Sequence, residues 1–526
     1  MPWMKGLVKR ADCKTEKVEF GDSCESLAKK CGISGDDFTK YNNNDTCSTL
    51  APGGIVCCSE GDLPDIRPKP ESNGTCAQSD IEDLNKVKTW GFNSCENLGL
   101  GLRICLSKGD APLPAPNKNA ICGPTVPGTK PPTGNQTFAD LNPCPLNACC
   151  NVWGLCGVSG EFCTQTKGEF GNPGAGPKGN NGCSISCGRD IKNNDEAPAS
   201  FIKVGYYESW NMDRPCLKLK AKSLASMGKS YTHIHWGFGK ISEDLDVSID
   251  DKYGQWNDFK SLQHAGIKTI LSMGGPDGRE HFTDSLVKLV KDQGISGVDI
   301  DWEYPGAADI PGIPPGQKED GDNYLEMLKL LRKKLGSSFS LSIAAPASYW
   351  YLRPFPIDAM AEYLDYIIYM TYDLHGQWDT GNKWAQLGCP EGNCLRITKA
   401  GVSSKKIVVG ISSYGRSFKM TDPSCSGSSC TFGGTNTNST AKPGECTQTR
   451  GYLSNAEINR IIAAQPDSKH WYDNEVDADF LESRAGRWQD LNFAGTINWA
   501  VDLIEFSDDD DSYAGGACDS GRRPRY

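Results

Sequence analysis

Positive charge, histidine and long apolar runs are all in short supply in this sequence. Lys and Arg number 55 against 66 Asp and Glu, and a net charge of −11 leaves no cationic footprint for nucleic acid. No apolar stretch reaches the length of a bilayer span, so no membrane partner is expected. The start, Met1-Pro2-Trp3-Met4-Lys5-Gly6-Leu7-Val8, lacks the apolar core of a secretory leader, from which an incomplete N-terminus is expected. Lys9-Arg10 ahead of Ala11 reads equally as a propeptide cleavage site and as an ordinary exposed basic pair. Six histidines in 526 residues restrict metal chemistry. Only His233-Ile234-His235 has the same-face spacing at which two imidazoles can hold one ion. His264, His281, His375 and His470 offer no second ligand motif, so neither a metal nor another cofactor is expected and a metal-dependent amidohydrolase or deacetylase is disfavoured.

Cysteine is scarce only in the later part of the chain: 17 of the 24 lie before residue 190. That density predicts small disulfide-stapled modules ahead of a larger domain with its own core, made in an oxidising compartment. Sequons at Asn44, Asn73, Asn135 and Asn438 agree with secretion. The length predicts two to four domains in a globular chain, expected to be a monomer.

The chemistry is concentrated in Ser296-Gly297-Val298-Asp299-Ile300-Asp301-Trp302-Glu303-Tyr304-Pro305. In a strand, alternate residues share a face, so Asp299, Asp301 and Glu303 line one side at roughly 3.3 Å per residue while Val298, Ile300 and Trp302 face the other. Adjacent acids on a buried face repel one another unless one is protonated, which makes the cluster a proton store and a candidate general acid. The apolar flanks argue against a solvent-facing charged edge.

Pro- and Gly-rich segments, Gly61 to Ser72, Ser107 to Thr137 and Lys167 to Gly182, punctuate the N-terminal part and read as linkers. Ahead of the first, Lys17 to Cys58 has a cap at Gly21-Asp22-Ser23-Cys24, a helix through Leu27 and Ala28, and a second helical stretch from Asp36 to Tyr41. This segment, about 14–60, resembles a LysM module, a βααβ fold that binds N-acetylglucosamine polymers. Residues 73–107, with Asp80-Ile81-Glu82-Asp83-Leu84-Asn85 and Arg103-Ile104-Cys105-Leu106, resemble the second half of another LysM; with little core, this half is not expected to fold alone. A Pro-rich linker is expected over 108–140. Residues 141–187, with Cys144, Cys149, Cys150, Cys156, Cys163, Cys183 and Cys187 as disulfide candidates, resemble a hevein-type chitin-binding module. That resemblance puts Trp153 and Phe162 at aromatic positions that stack on sugar rings, while Leu155 and Asn151 stand where an aromatic and a serine are usual.

From Phe201 onward apolar runs alternate with amphipathic stretches. Strands are expected at Ile202–Tyr207, Tyr231–Phe238, Ile267–Met273, Gly297–Trp302, Ser340–Ala345, Tyr366–Thr371, Ile407–Ser412 and Ala494–Ala500. Eight such repeats over 200–510 predict an α/β fold, a (β/α)8 TIM barrel with chemistry at the carboxyl ends of its strands. A small α+β insertion between strands seven and eight would form a wall of the cleft, and 511–526 would be a tail.

With Ser272-Met273-Gly274-Gly275, Met370-Thr371-Tyr372-Asp373, Tyr414-Gly415-Arg416 and Asn498-Trp499 at strand ends, the acidic motif resembles glycoside hydrolase family 18, the chitinases. The module order is similar to the large fungal chitinases related to killer-toxin α-subunits. The resemblance implies a secreted, retaining chitinase whose nucleophile is the substrate's own 2-acetamido oxygen. It assigns Glu303 as the acid, Asp301 as the carboxylate that shares a proton with Asp299 and then turns towards Glu303, and Tyr372 as the acetamido ligand. Trp499 would form the sugar floor, with Asp373 and Arg416 on neighbouring sugars and Met370, Tyr414, Gly274, Gly275, Tyr304 and Tyr207 completing the substrate contacts. Chitin and N-acetylglucosamine oligomers are the expected partners. One departure is Ser296, where the family has Asp; loss of a charge near the cluster is expected to alter the pH optimum.

A catalytically silent lectin-like or killer-toxin component is the alternative, against which Glu303 speaks. An endo-β-N-acetylglucosaminidase acting on N-glycans is disfavoured by the chitin-binding modules. Ser507-Asp508-Asp509-Asp510-Asp511 reads as a solvated acidic run rather than a calcium site.

Overall fold

The structure, a computed structural model, describes residues 12–64 and 78–506 apart from 20, 43–45, 49, 51–53, 100, 166–167, 176–181, 228–229, 275–279, 311, 382–395, 426–429 and 466–480. Gly275, Lys9-Arg10, Asn44, Asn73, His470, the 507–511 acidic run and the 511–526 tail lie outside the described residues. The chain divides into two compact units, Met1–Ile191 and Lys192–Tyr526.

In the first unit, strands Thr15–Lys17 and Ile55–Cys57 pair antiparallel around helices Cys24–Cys31 and Gly35–Asn42. Ser23 starts the first helix by accepting from Ser26 N at 3.1 Å, and Gly32, left-handed at φ 70°, ends it. Val18, Leu27, Ala28, Phe38 and Val56 make a core so small that three disulfides, Cys13–Cys57, Cys24–Cys47 and Cys31–Cys58, staple it. Asn42 ties helix to strand: its amide donates to Phe38 O (2.9 Å) and Cys57 O (2.7 Å) and its oxygen accepts from Cys57 N (2.6 Å).

Asn85, the last residue of helix Gln78–Asn85, repeats this arrangement: it donates to Ile81 O (2.7 Å) and Cys105 O (2.8 Å) and accepts from Cys105 N (2.7 Å). The half-module does not stand alone, because a stretch read as linker packs on it. Asn172 donates to Asn85 O (2.7 Å) and Thr89 O (3.0 Å), Phe170 stacks on Phe92 at 6.1 Å, and Gly174 fits under the Trp90 indole.

All seven candidate cysteines are in disulfides: Cys144–Cys156, Cys149–Cys163, Cys183–Cys187, and Cys150 with Cys122. Cys122 corrects the 108–140 linker reading. A Pro-rich composition predicts a spacer, but this stretch buries Ala120, Cys122 and Phe138 and is bonded to the three-stranded sheet of Cys149–Asn151, Cys156–Gly157 and Cys183–Ile185.

The second unit is a closed parallel barrel of eight strands in sequential order: β1 Ile202–Glu208, β2 His233–Gly237, β3 Lys268–Gly274, β4 Gly297–Asp301, β5 Ser340–Pro346, β6 Tyr366–Met370, β7 Ile407–Ser412 and β8 Gly495–Trp499. Val204, Ile368, Val408 and Ile497 lie in a single buried cluster. Helix Glu280–Gln293 buries Phe282, Leu286, Val287 and Val290 on one side, and helix Asp320–Leu335 buries Tyr324, Met327, Leu328, Leu331 and Leu335. A Cβ on Gly297 would fall 2.2 Å from Ser340 O, so glycine is what lets β4 begin against β5. Between β7 and β8 the expected insertion pairs Tyr414–Arg416 with Tyr452–Ser454 and adds helices Asn455–Ala464 and Leu481–Asp490. Ser454 and Glu457 cap the first of these helices reciprocally.

Candidate active site

Strand alternation carries Asp299 and Asp301 to the barrel interior, with Glu303 two residues further, past the end of β4. Asp299 is fully buried. Its Oδ2 accepts from Tyr206 Oη (2.6 Å) and Ser272 Oγ (2.9 Å), its Oδ1 accepts from Ser342 Oγ (2.7 Å), and His235 Nδ1 lies 3.4 Å away. Burial alone would raise its pKa; His235, Tyr206 and Ser342 reverse that and hold it below the ordinary carboxylate value. Asp301 has the opposite balance. Burial, then the Glu303 and Asp299 charges, push its pKa well up, and its buried Oδ1 has no hydrogen-bond partner among the described residues. Glu303 opens to solvent at the mouth, yet the protein around its carboxyl raises its pKa, with the Tyr304 hydrogen bond opposing and the Asp373 charge adding. One motif therefore yields an acid pushed towards its ionised form beneath two pushed towards their protonated forms, a separation of roles set by surroundings.

Other strand ends complete the cleft. Met370 closes β6 from within, and Tyr372 just beyond it is kept protonated, burial raising its pKa well above the usual phenol value. Gly410 on β7 makes space for that ring, since a Cβ there would lie 2.8 Å from Tyr372 Cε1, Thr371 N and Tyr369 O. Asp373, left-handed at φ 53°, accepts from Tyr414 Oη (2.6 Å) and Arg416 Nε (2.9 Å), locking the insertion to the end of β6. Trp499 lies 4.9 Å from the Tyr206 ring and 5.9 Å from Phe238, which stacks on the exposed Trp210 at 6.0 Å. Tyr304 stacks on Tyr351 at 4.8 Å. Gly274 ends β3 with open space where a side chain would be.

Two expectations change. Tyr207 is not in the cleft: it is fully buried, its hydroxyl donates to Leu219 O (2.9 Å), and its ring packs on Trp236. Its neighbour Tyr206 has the inward parity. Ser296 is three residues from Asp299 and so on the opposite face; its Oγ accepts from Thr269 N (3.1 Å) at the start of the strand, so it anchors β3 to β4 rather than tuning the acids. The paired histidines are not arranged as ligands of one ion, because His233 Nδ1 meets Thr232 Oγ1 (2.8 Å) and His235 Nε2 meets Tyr366 Oη (2.8 Å). Tyr206 and Ser342 escaped sequence reasoning, and His235 entered it only as half of a disfavoured metal pair. Each is one inward residue on a separate strand, and strand parity, once the barrel register is known, is the signal that finds them. In the first unit Phe162 packs over Gly157 and the buried Cys149, Cys163 and Cys183, and Trp153 is partly exposed.

A parallel barrel with a line of acids at the carboxyl end of β4 has the build of an acid-based (β/α)8 hydrolase. The chain belongs to the glycosyl hydrolases family 18, whose sequence model matches residues 202–502, and a LysM domain matches residues 17–58. It is 45% identical to the secreted chitinase LysM12 of Penicillium expansum, over 94% of this chain and 37% of that protein. It is 32% identical to the killer toxin subunits alpha/beta of Kluyveromyces lactis, over 93% of this chain and 46% of that one. This chain thus spans less than half the length of either relative. The crystal structure of the Ostrinia furnacalis Group IV chitinase superposes with a TM-score of 0.50 at 23% identity, covering 58% of this chain and 94% of that one, and shares the fold.

Proposed function

We propose that this chain is a secreted, endo-acting chitinase that cleaves β-1,4 linkages between N-acetylglucosamine units with retention, using the substrate's acetamido group as nucleophile. The observation that carries this is Asp301: a carboxyl whose surroundings favour its protonated form, with an unpartnered buried oxygen, between Asp299, held towards the anion, and Glu303, held towards the acid. All three acids come from β4 and the residues just past its end and approach the sugar from one side, so the group attacking from the other side is supplied by the substrate. Glu303 donates its proton to the leaving glycosidic oxygen. Asp301 turns from Asp299 towards Glu303 and the acetamido N–H, stabilising the cyclic cation, while Asp299 keeps the charge that its four polar neighbours support. The Tyr372 hydroxyl donates to the acetamido carbonyl and aligns it. Trp499 is the floor under the reacting sugar, and Met370, Tyr414, Gly274 and Tyr304 line the cleft with Asp373 and Arg416.

The LysM module and the hevein-like segment, with Trp153 as stacking face, hold the protein on chitin; the half-LysM over 73–107 adds little. Acting outside the cell agrees with the disulfides and with the relative named as secreted. Among the described residues no helix is long and apolar enough to cross a membrane. Chitin and its oligomers are the partners, met by a monomer. The presence of Glu303 favours this reading over a silent sugar-binding component. The test is hydrolysis of N-acetylglucosamine oligomers with time-resolved anomer analysis. The first product should be the β-anomer, and fully deacetylated chitosan should not be cleaved. Initial release of the α-anomer refutes the mechanism.

A further inference from the structure

His233 and His235 point into the barrel from β2, and only one of them reaches the acids. His233, hydrogen-bonded to Thr232, is kept neutral: burial, and then the nearby His235 and Lys268, push its pKa down to about 3. His235 has no exposed surface. Its Nε2 lies 2.8 Å from Tyr366 Oη, and its Nδ1 lies 3.3 Å from Ser272 Oγ and 3.4 Å from Asp299 Oδ2. The edge of the Tyr206 ring covers it at 4.9 Å. With the Tyr366 hydroxyl donating to Nε2, Nδ1–H faces both Ser272 Oγ and, 3.4 Å away, Asp299 Oδ2, while the Ser272 and Tyr206 hydroxyls donate to that carboxylate.

We propose that His235 is a positioning residue for the hydrolysis inferred above, acting through Asp299. Its Nδ1–H keeps Asp299 as the anion of the Asp299–Asp301 pair, so the pair's proton stays on Asp301 and leaves with that side chain when it turns towards Glu303. Tyr366, from β6, acts one step behind, fixing the tautomer that points Nδ1–H at the carboxylate. The titratable groups facing the pair are Glu303 and Tyr304 from beyond β4, Tyr206 from β1, His235 from β2, Tyr324 from the helix after β4, and Tyr366 and Tyr372 from β6 and its end. His235 stands out among them as an imidazole with a ring nitrogen 3.4 Å from a carboxylate oxygen.

The sign follows from which form is favoured. A donor aimed at Asp299 stabilises its ionised form, so removing it makes the pair bind a second proton more readily, and the acid limb of the rate profile moves to higher pH. A hydrogen bond to a charged group, taken at the weak end because 3.4 Å is long, corresponds to about one pH unit. The experiment is the pH dependence of kcat/KM on a short soluble N-acetylglucosamine oligomer for wild type, His235→Leu, His235→Asn and Tyr366→Phe. His235→Leu should move the acid limb up by about one unit. His235→Asn, whose amide N–H can take the place of Nδ1–H, should stay near wild type, and Tyr366→Phe should shift in the same direction by less. A uniform loss of kcat/KM at every pH, or equal shifts for the Leu and Asn variants, overturns the proposal, since a purely structural role predicts one or the other. If His235→Leu does not fold, Tyr366→Phe against His235→Asn decides. A wild type without turnover refutes the hydrolase reading itself, whereas a wild type with turnover and an unmoved limb in the variants refutes this inference alone.

Discussion

Asp301→Asn should make the protein more stable and nearly inactive, and the gain in stability should grow with pH. In the unfolded chain Asp301 ionises near 3.8; in the folded barrel, burial and the charges of Glu303 and Asp299 keep its proton on to well above that. A group whose folded pKa is raised contributes stability that is complete below the unfolded pKa and is lost as pH climbs towards the folded one. While Asp301 stays protonated in the folded state, that loss is about 1.4 kcal/mol per pH unit. The Asp301→Asn variant has no proton to hold and escapes it. From about pH 4 up to the folded pKa of Asp301 the variant should therefore gain about 1.4 kcal/mol on wild type per pH unit. For a barrel of this size that is roughly 3 °C in apparent melting temperature per pH unit. Asp299 and Glu303 titrate in both proteins, so their contributions largely cancel in the difference. Turnover should fall by roughly two to three orders of magnitude, because an amide cannot supply the charge that stabilises the cyclic intermediate. Melting curves of both proteins at matched scan rates across this range are the assay. A melting difference that stays flat with pH would mean that Asp301 titrates as it does in the unfolded chain, and the idea of a proton held on it would fail.

Glu303→Gln should lower turnover by about two to four orders of magnitude while calorimetry still detects oligomer binding; near-normal activity would show that another group is the acid. Gly410→Ala puts a methyl against Tyr372 and two backbone atoms, and should cost about 100-fold in kcat through displacement of the Tyr372 hydroxyl, with a smaller effect on melting. An unchanged kcat would show that Tyr372 can move without cost. A protein beginning near Ala197 keeps every proposed catalytic residue and should retain its rate on soluble oligomers while losing adsorption to crystalline chitin, with Trp153→Ala in the full chain giving a weaker version of that loss. Equal adsorption of full-length and shortened proteins to chitin particles would assign the N-terminal modules another task.

The barrel was legible because its signals are local. Eight apolar runs at regular intervals, each bounded by polar residues, define eight strands, and the observed limits differ from the expected ones by at most two residues. The acids were legible for the same reason, since three of them at alternate positions of one run share a face whatever surrounds the strand. Illegible was everything that depends on which strands become neighbours. Asp299 differs from Asp301 because of Tyr206, His235, Ser272 and Ser342, drawn from four other strands. Tyr206 and Tyr207 are chemically identical in the sequence, and only the register of β1 against β2 and β8 sends one to the acids and the other to Leu219.

The N-terminal unit shows the converse failure, in which composition misled. Segments 107–137 and 167–182 are rich in Pro and Gly and poor in periodic hydrophobics, and a flexible spacer has that composition. A small disulfide-rich module has it too, because its order comes from cross-links and side-chain-to-backbone hydrogen bonds rather than from a buried apolar face. Cys122 ties down the first segment through Cys150, and Asn172 ties down residues 168–175 of the second through two carbonyls of the half-LysM. Asn85 repeats each of the three hydrogen bonds of Asn42, so the half-LysM keeps the link between its helix and the later segment at Cys105. The later 168–175 stretch then buries Trp90 and Phe92, residues that a half-module could not cover by itself. Folding of that segment therefore depends on residues about eighty positions downstream, and a reading that asks each module to supply its own core will miss it wherever a chain completes one module with the tail of another.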